Sequence, residues 1–154
     1  MPLLVDGDFS LWESNTIVRY LCAKHDFGGL YPEPLEQRAQ VERWMDWQLA
    51  TLGRPLRIVF WGLVRAPHTA DPAQIRAAAA ELGPAFTVLD AHLERHAYVA
   101  GERFTMGDIP VGALAHRWLA LEGIERPGLP ALRRWHEALA ARPAFRAHVM
   151  LPLS

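Results

Sequence analysis

The stretch of sequence that decides the fold is PLLVDGDFSLWES, residues 2–14. Two short apolar runs, residues 3–5 and 9–12, flank Asp6-Gly7-Asp8. An Asp-Gly pair between apolar runs is a strong β-hairpin signal, because Gly readily adopts the positive φ that a tight primed turn requires. The pattern predicts two antiparallel strands. A lone hairpin is only marginally stable in water, so these strands need more sheet or a covering helix.

The composition limits the class of protein. The 154 residues are 51% hydrophobic and 21% charged, which is typical of a globular chain with a real core. The net charge of −1 argues against a nucleic-acid partner, which requires concentrated positive charge. No apolar run reaches the ~20 residues of a membrane span, and the first residues do not resemble a signal peptide. The single cysteine, Cys22, cannot form an internal disulfide, so we expect a cytoplasmic location.

A proline-rich segment divides the chain. Glu13-Ser14-Asn15 is predicted to begin a helix that ends near Asp26-Phe27-Gly28-Gly29, because glycines after a helix supply left-handed conformations. Residues 30–34, LYPEP, read as a linker, since two prolines remove backbone donors and favour extended structure. We therefore predict one domain over residues 1–29, a linker over residues 30–34 and a second domain over residues 35–154.

Helical periodicity dominates the second domain. From residue 35 to residue 65 apolar side chains recur at spacings of four, four and three, at Val41, Met45, Leu49 and Leu52. Further helices are predicted to begin at Asp71-Pro72, Thr105 and Leu129-Pro130, and bends are predicted at Gly53-Arg54-Pro55 and at Pro84.

Thr105 and Asp108 have the spacing of a capping box. The Thr105 hydroxyl is expected to accept from the Asp108 amide, and the Asp108 carboxylate from the Thr105 amide. We predict a structural role for both residues, with a loss of ~0.5–2 kcal/mol of stability on their removal.

Three segments carry a resemblance to a known family. They resemble segments of bacterial glutathione S-transferases, in the same order along the chain. The segments are PLLVDGDFSLWESNTIVRYL (residues 2–21), YVAGERFTMGDI (98–109) and LPALRRWHEALAARPAF (129–145). The resemblance implies a mostly α fold, with a partial α/β thioredoxin-like unit at the N-terminus and an all-helical bundle at the C-terminus.

The resemblance also implies that the first strand-helix-strand of the thioredoxin-like unit is missing. In the family that segment carries the catalytic Ser, Tyr, Cys or Asn, so no residue of this sequence is predicted to be catalytic. Met1 stands where the family usually has Val. We therefore expect the true protein to be longer, with its start misplaced, and the activity of the chain as written to be doubtful.

The family resemblance implies glutathione as co-substrate and no bound cofactor. Ser14 would offer a hydroxyl and an amide to the γ-glutamyl carboxylate at a helix N-terminus, and Glu13 would accept from its ammonium. Met1, before a cis Pro2, would pair with the cysteinyl amides. Taken alone, Glu13-Ser14 is more typical of an ordinary helix start than of a binding motif.

The resemblance further implies a pocket for a small electrophile between the first and third helices of the bundle. Its candidate residues are Trp47, Phe60, Trp61, Arg65, His116 and Trp118. Arg65 has two interpretations: a charge suited to the C-terminus of its helix, or a group at the pocket mouth that meets an anionic substrate or a glutathione carboxylate. Conjugation, peroxide reduction and isomerisation all remain open.

Weaker signals have structural explanations. Cys22 is expected to be a small buried residue rather than a nucleophile. His92 and His96 have a metal-compatible spacing, but no third ligand is evident, so an exposed helix face is predicted and no metal site.

Three hypotheses about the whole chain remain. The first is a transferase that forms homodimers. The second is a non-catalytic binding or assembly module of the same fold. In the third, the helical domain folds alone and the hairpin is vestigial, with disorder or protease sensitivity before about Leu30.

Overall fold

The N-terminal hairpin has the predicted form. The structure, a computed structural model, describes residues 2–153. Strands β1 (Leu3–Asp6) and β2 (Phe9–Trp12) pair antiparallel, with Leu3 opposite Trp12 and Asp6 opposite Phe9. Gly7 has a φ of 62° and is the first of two loop residues, where a type II′ turn requires a positive φ.

Helix α1 (Ser14–His25) supports one side of the hairpin. Asp6, at the end of β1, accepts hydrogen bonds from the Tyr20 hydroxyl (2.7 Å) and from the Lys24 ammonium. The hydrogen bond from Lys24 lowers the pKa of the Asp6 carboxyl, and the bond from Tyr20 acts in the same direction. The Phe9 ring packs on the Tyr20 ring, with 5.3 Å between centroids. The turn is therefore fixed to α1 by polar and aromatic contacts.

A long, nearly continuous helical segment follows the residues predicted as a linker. It consists of α2 (Leu35–Trp47), a π-helical turn (Gln48–Leu52), α3 (Gly53–Phe60) and a second π-helical turn (Trp61–Arg65). The first π turn ends just before Gly53-Arg54-Pro55, where a bend was predicted. Pro55 has no N–H to donate to the preceding turn, which disturbs the regular α-helical ladder at this point.

Four more helices complete the bundle: α4 (Pro72–Leu93), α5 (Asp108–Ala120), α6 (Pro130–Ala140) and α7 (Pro143–His148). The Asp71 carboxylate caps α4 by accepting from the Ala73 amide at 2.8 Å. Helix α4 continues through Pro84. The first turn of α6 is capped from another helix, because Asp90 on α4 accepts from the Leu132 amide at 2.7 Å.

Two apolar clusters hold the chain together. The larger one fills the bundle, and Trp118, which is 1% exposed, stacks on Phe86 inside it with 4.2 Å between ring centroids. The smaller cluster joins α1 to α2 and to the segment before α5; its buried members are Cys22, Val41, Met45 and Met106. The hairpin and α1 are thus attached to the bundle through a small core of their own.

Within residues 2–153, no helix combines the length and the apolar character needed to cross a membrane.

Candidate functional site

The first candidate site is the N-terminus of α1. Glu13 precedes the helix with φ 72° and ψ 116°, and it is the one non-glycine residue with a positive φ among the described residues. A non-glycine residue in this region is uncommon, and such strain persists only where the surrounding structure holds it, often beside a ligand. Glu13 and Ser14 are both exposed. Both side chains are therefore accessible to a ligand.

The first turn of α1 has backbone amides that are available to bind an anion. No side chain of the described residues caps it, unlike α4, whose first turn is capped by Asp71. The first intrahelical hydrogen bond runs from the Ile17 amide to the Glu13 carbonyl at 2.9 Å. The amides of residues 14–16 precede that bond and lie at the positive end of the helix dipole, which suits a carboxylate ligand.

Asn15 fixes this turn to the bundle. Its side chain is 6% exposed, and Nδ2 donates to the Met45 carbonyl at 2.9 Å and to Gln48 Oε1 at 3.3 Å. The exposed Glu13 and Ser14 are therefore positioned by a buried neighbour. This anchoring role of Asn15 was not predicted; the signal in the sequence is a polar side chain at the start of a helix whose inner face is apolar.

The remaining predicted glutathione contacts lie at the start of the chain. Pro2 is exposed, directly before β1. Met1 lies outside the described residues, so the predicted pairing of its backbone with glutathione and the predicted cis form of the Met1–Pro2 bond stay predictions.

Three of the six candidate pocket residues, Phe60, Arg65 and His116, line a cavity of about 290 Å³. The cavity lies between the end of the first long helical segment, α5 and the C-terminal tail. The other lining residues are Ala113, Arg117, His148, Val149, Leu151, Pro152 and Leu153. We call this the α5–tail cavity.

The other pocket candidates lie elsewhere. Trp61 is 59% exposed and lines a separate cavity of about 570 Å³ between the second π turn and the start of α4. Trp47 is half-buried, lines neither cavity and meets Trp44 edge to face with 5.1 Å between ring centroids. Trp118 is a core residue, because its ring is enclosed beside Phe86.

His116 is paired with a second histidine, His136, which was not predicted from the sequence. Its Nδ1 lies 3.0 Å from Nε2 of His136 on α6, and the two rings are stacked with 5° between their planes. Burial lowers the pKa of both imidazoles, and neighbouring Arg117 lowers that of His116 further. No spacing in the sequence reveals this pair, because its members lie on two separate helices that only the bundle brings together.

One of the two hydrogen bonds predicted for the capping box forms, and α5 begins at Asp108. The Thr105 amide donates to Asp108 Oδ2 at 2.9 Å as expected. The Thr105 hydroxyl does not accept from the Asp108 amide; it lies 3.3 Å from Oδ2 and donates to it, while the Asp108 amide bonds the Thr105 carbonyl at 3.1 Å. The carboxylate already fills the space beside the hydroxyl, so the hydroxyl acts as a donor.

Asp108 also binds groups far along the chain. Its Oδ1 accepts from the Val99 amide at 3.0 Å and from Trp135 Nε1 at 2.9 Å. Burial raises the pKa of the Asp108 carboxyl, and the four donors act against that rise. With a side chain that is 0% exposed, Asp108 is a structural hub rather than a residue available to a substrate.

Cys22, His92 and His96 were predicted to have structural positions rather than functional ones. Cys22 is buried as predicted. Desolvation raises the pKa of its thiol, and the negative charge of Asp26 raises it further. The prediction of an exposed helix face at His92 and His96 is wrong. His92 is half-buried, packs against the Trp44 ring at a tilt of 51° and lies 2.9 Å from the Val99 carbonyl, while His96 lies beyond the end of the helix. Residues 2–153 contain no cluster of three or more potential metal ligands.

Comparisons with known proteins agree on one family. Residues 56–143 match the family model described as glutathione S-transferase, C-terminal domain. The chain is 39% identical over 157 residues to glutathione S-transferase GstB of Escherichia coli, covering 100% of this chain and 75% of that protein. It is 32% identical to human glutathione S-transferase theta-1, covering 98% of this chain and 67% of the relative.

A solved structure matches nearly the whole chain. It is the glutathione-bound theta class glutathione S-transferase of the citrus canker pathogen Xanthomonas axonopodis pv. citri, with 44% identity and a TM-score of 0.93, covering 99% of this chain and 80% of that one. The fold, with its small two-stranded sheet and helical C-terminal domain, is therefore that of these enzymes. The chain belongs to the glutathione S-transferase family.

Proposed function

We propose that the N-terminus of α1 binds the γ-glutamyl end of glutathione in this transferase. The main support for this site is the strained backbone of Glu13, which lies beside the exposed Ser14 at a helix turn that no side chain caps. The helix end favours the γ-glutamyl carboxylate, and the Glu13 carboxylate complements the ammonium on the same carbon. The glutathione bound in the 44% identical Xanthomonas structure supports this choice of ligand.

The electrophile is proposed to bind in the α5–tail cavity. Arg65 and His116 face a space of about 290 Å³, near the lower end of the range of about 300–1,000 Å³ usual for ligand pockets. The reaction is attack of the glutathione thiolate on a small electrophile. The group that activates the thiol is assigned to no residue of this sequence. The sequence-based roles of Trp47 and Trp61 in substrate binding have no support in the geometry of this cavity.

The proposal extends to assembly and location. Helices α2 to α4 carry large exposed apolar residues, Leu35, Leu49 and Val88, which support a homodimer interface on these helices. A cytoplasmic location is supported by the single, unpaired Cys22.

Calorimetric titration of glutathione tests the binding site. The wild-type chain is compared with Glu13→Gln, which keeps the side-chain shape but removes the charge, and with Ser14→Ala. Thr16→Ala is the matched control, because Thr16 is exposed on the same helical turn. We expect each site variant to weaken binding about tenfold, as loss of one charge-assisted hydrogen bond predicts, and the control to bind like wild type. A folded wild-type chain without glutathione binding, or unchanged binding by both site variants, contradicts the proposal.

A further inference from the structure

The α5–tail cavity combines apolar walls with two guanidinium groups, those of Arg65 and Arg117. Ala113, Val149, Leu151 and Leu153 supply aliphatic surface. Its titratable lining groups are Arg65, His116, Arg117 and His148, and no Asp or Glu lines it. A cavity with this lining is complementary to a molecule that is apolar at one end and anionic at the other.

Two guanidinium groups share one aromatic ring in this cavity. Cζ of Arg117 lies 4.4 Å from the centre of the Phe60 ring, and Cζ of Arg65 lies 5.8 Å from the same centre. The two like charges repel each other, and partial burial together with the charge of Arg65 lowers the pKa of Arg117. A cation–π contact offsets part of this cost, but it does not neutralise either charge.

The described residues provide these two arginines with no counter-ion. Ion pairs within residues 2–153 involve Arg19, Lys24 and His96, and none involves Arg65 or Arg117. Arg126 provides a contrast, since its guanidinium is used structurally: it donates to the Trp118 carbonyl at 2.7 Å and to the Leu121 carbonyl. Arg65 and Arg117 have donors left for a ligand.

We propose that the α5–tail cavity selects electrophiles that carry a carboxylate, with Arg117 and Arg65 holding the acid group. The aliphatic residues of the tail contact the body of the substrate, and the His148 ring lines the same cavity. The inference rests on the proposed function, because it names the substrate class of the same cavity. It makes Arg117 a specificity-determining residue for the second substrate rather than a contact of glutathione.

A matched pair of probes tests the charge requirement. 4-Chloro-3-nitrobenzoate and 4-chloro-3-nitrobenzamide have nearly the same shape and differ in charge. Calorimetric titration of each into the wild-type chain should show the benzoate binding at least about tenfold more tightly, since an anion between two guanidiniums gains charge-assisted hydrogen bonds. The preference should shrink as the salt concentration rises, because Arg65 and Arg117 are both exposed and mobile ions screen their charges. Equal affinity for the two probes, or binding of neither, overturns the proposal.

Variants assign the preference to residues. Arg117→Gln and Arg65→Gln should each weaken benzoate binding about tenfold and change amide binding by less than about twofold, and Arg117→Lys should restore part of the benzoate affinity. Arg103→Gln is the control, because Arg103 is exposed and lines neither the α5–tail cavity nor the cavity beside Trp61. Unchanged benzoate affinity in both glutamine variants would mean that the arginines only cover apolar surface, which overturns the proposal.

Titration of glutathione into the same variants separates this inference from the proposed function. Glutathione affinity should be unchanged in Arg117→Gln. If Arg117→Gln loses glutathione affinity and keeps benzoate affinity, Arg117 serves the peptide and the inference fails. If glutathione does not bind but the benzoate preference persists and depends on Arg117, the inference stands while the glutathione site at Glu13 and Ser14 fails.

Discussion

The helical bundle and the N-terminal hairpin bury their apolar residues to very different extents. In the bundle, Phe86, Trp118 and Trp135 are at most 1% exposed. In the hairpin, Leu3, Val5 and Trp12 lie on one face of the sheet and are 65%, 66% and 59% exposed. The bundle supplies most of the stabilising burial of the described chain, while the hairpin is held by α1 and a small cluster around Cys22. The candidate glutathione residues thus lie at the junction between a well-packed and a sparsely packed region.

The largest effect is expected from the hub of the bundle. Asp108→Ala leaves the Val99 amide, the Thr105 amide and Trp135 Nε1 without their acceptor inside a core, so it should lower the free energy of unfolding by about 3–5 kcal/mol. This exceeds the ~0.5–2 kcal/mol expected from a cap alone. Urea unfolding followed by circular dichroism measures it.

The matched control for Asp108 is an exposed cap. Asp71→Ala removes one hydrogen bond, to the Ala73 amide, and should cost about 1 kcal/mol. Equal losses in the two variants would mean that the tertiary bonds of Asp108 contribute nothing beyond capping.

An intermediate effect is expected at the junction. Asn15→Ala leaves the buried Met45 carbonyl without its side-chain donor and should cost about 1–3 kcal/mol. The loss should be local, because Asn15 connects only α1 to the bundle. Hydrogen exchange should therefore accelerate in residues 3–25 more than in α5 and α6, whereas Ser14→Ala should leave exchange unchanged. Uniform acceleration over the whole chain would show that the two regions unfold as one unit.

A smaller effect is expected from pH at the stacked histidines of the bundle. Because the folded-state pKa of His116 and of His136 is lowered below the ordinary value, the unfolded chain binds more protons in mildly acidic solution. The stability contributed by these groups is therefore present above the unfolded-state pKa of about 6.5 and is lost as the pH falls towards the folded-state value. Burial also lowers the pKa of His92, so this residue contributes to the pH dependence of stability in the same direction.

Unfolding in urea at several pH values between 7 and 5 measures this dependence. His136→Gln should flatten the profile, because it removes one titrating ring and the repulsion between two protonated rings. Charged neighbours contribute as well: Arg117 and Arg133 favour the neutral rings, and Glu137 opposes them. A variant profile as steep as that of wild type would exclude the pair as the source of acid sensitivity.

The smallest effect is expected on the open face of the hairpin. Leu3→Thr and Val5→Thr keep strand propensity and remove exposed apolar surface, so each should change the free energy of unfolding by less than about 0.5 kcal/mol. The same urea experiment measures this. A loss above 1 kcal/mol would show that this face is buried in solution, and sedimentation velocity would then reveal whether a second copy covers it.

The sequence by itself determined the local structure of this protein. Turn-forming and capping residues act over three or four positions, so they can be recognised in the sequence. They specify the hairpin at Asp6-Gly7, the helix starts at Ser14, Pro72 and Pro130, and the pairing of Thr105 with Asp108. Glu13 and Ser14 are proposed as glutathione contacts from the sequence alone, because the motif that carries the family resemblance is contiguous.

Only the tertiary structure decided which distant residues meet. Asp90 caps α6 from 42 positions away, His136 stacks on His116, and Arg117 shares the Phe60 ring with Arg65. It also placed Trp118 in the core and Trp61 in a separate cavity, although both are tryptophans on helices. The physical reason is the same in each case: periodicity specifies which face of a helix is apolar, whereas the crossing of helices in the bundle specifies which neighbour that face touches.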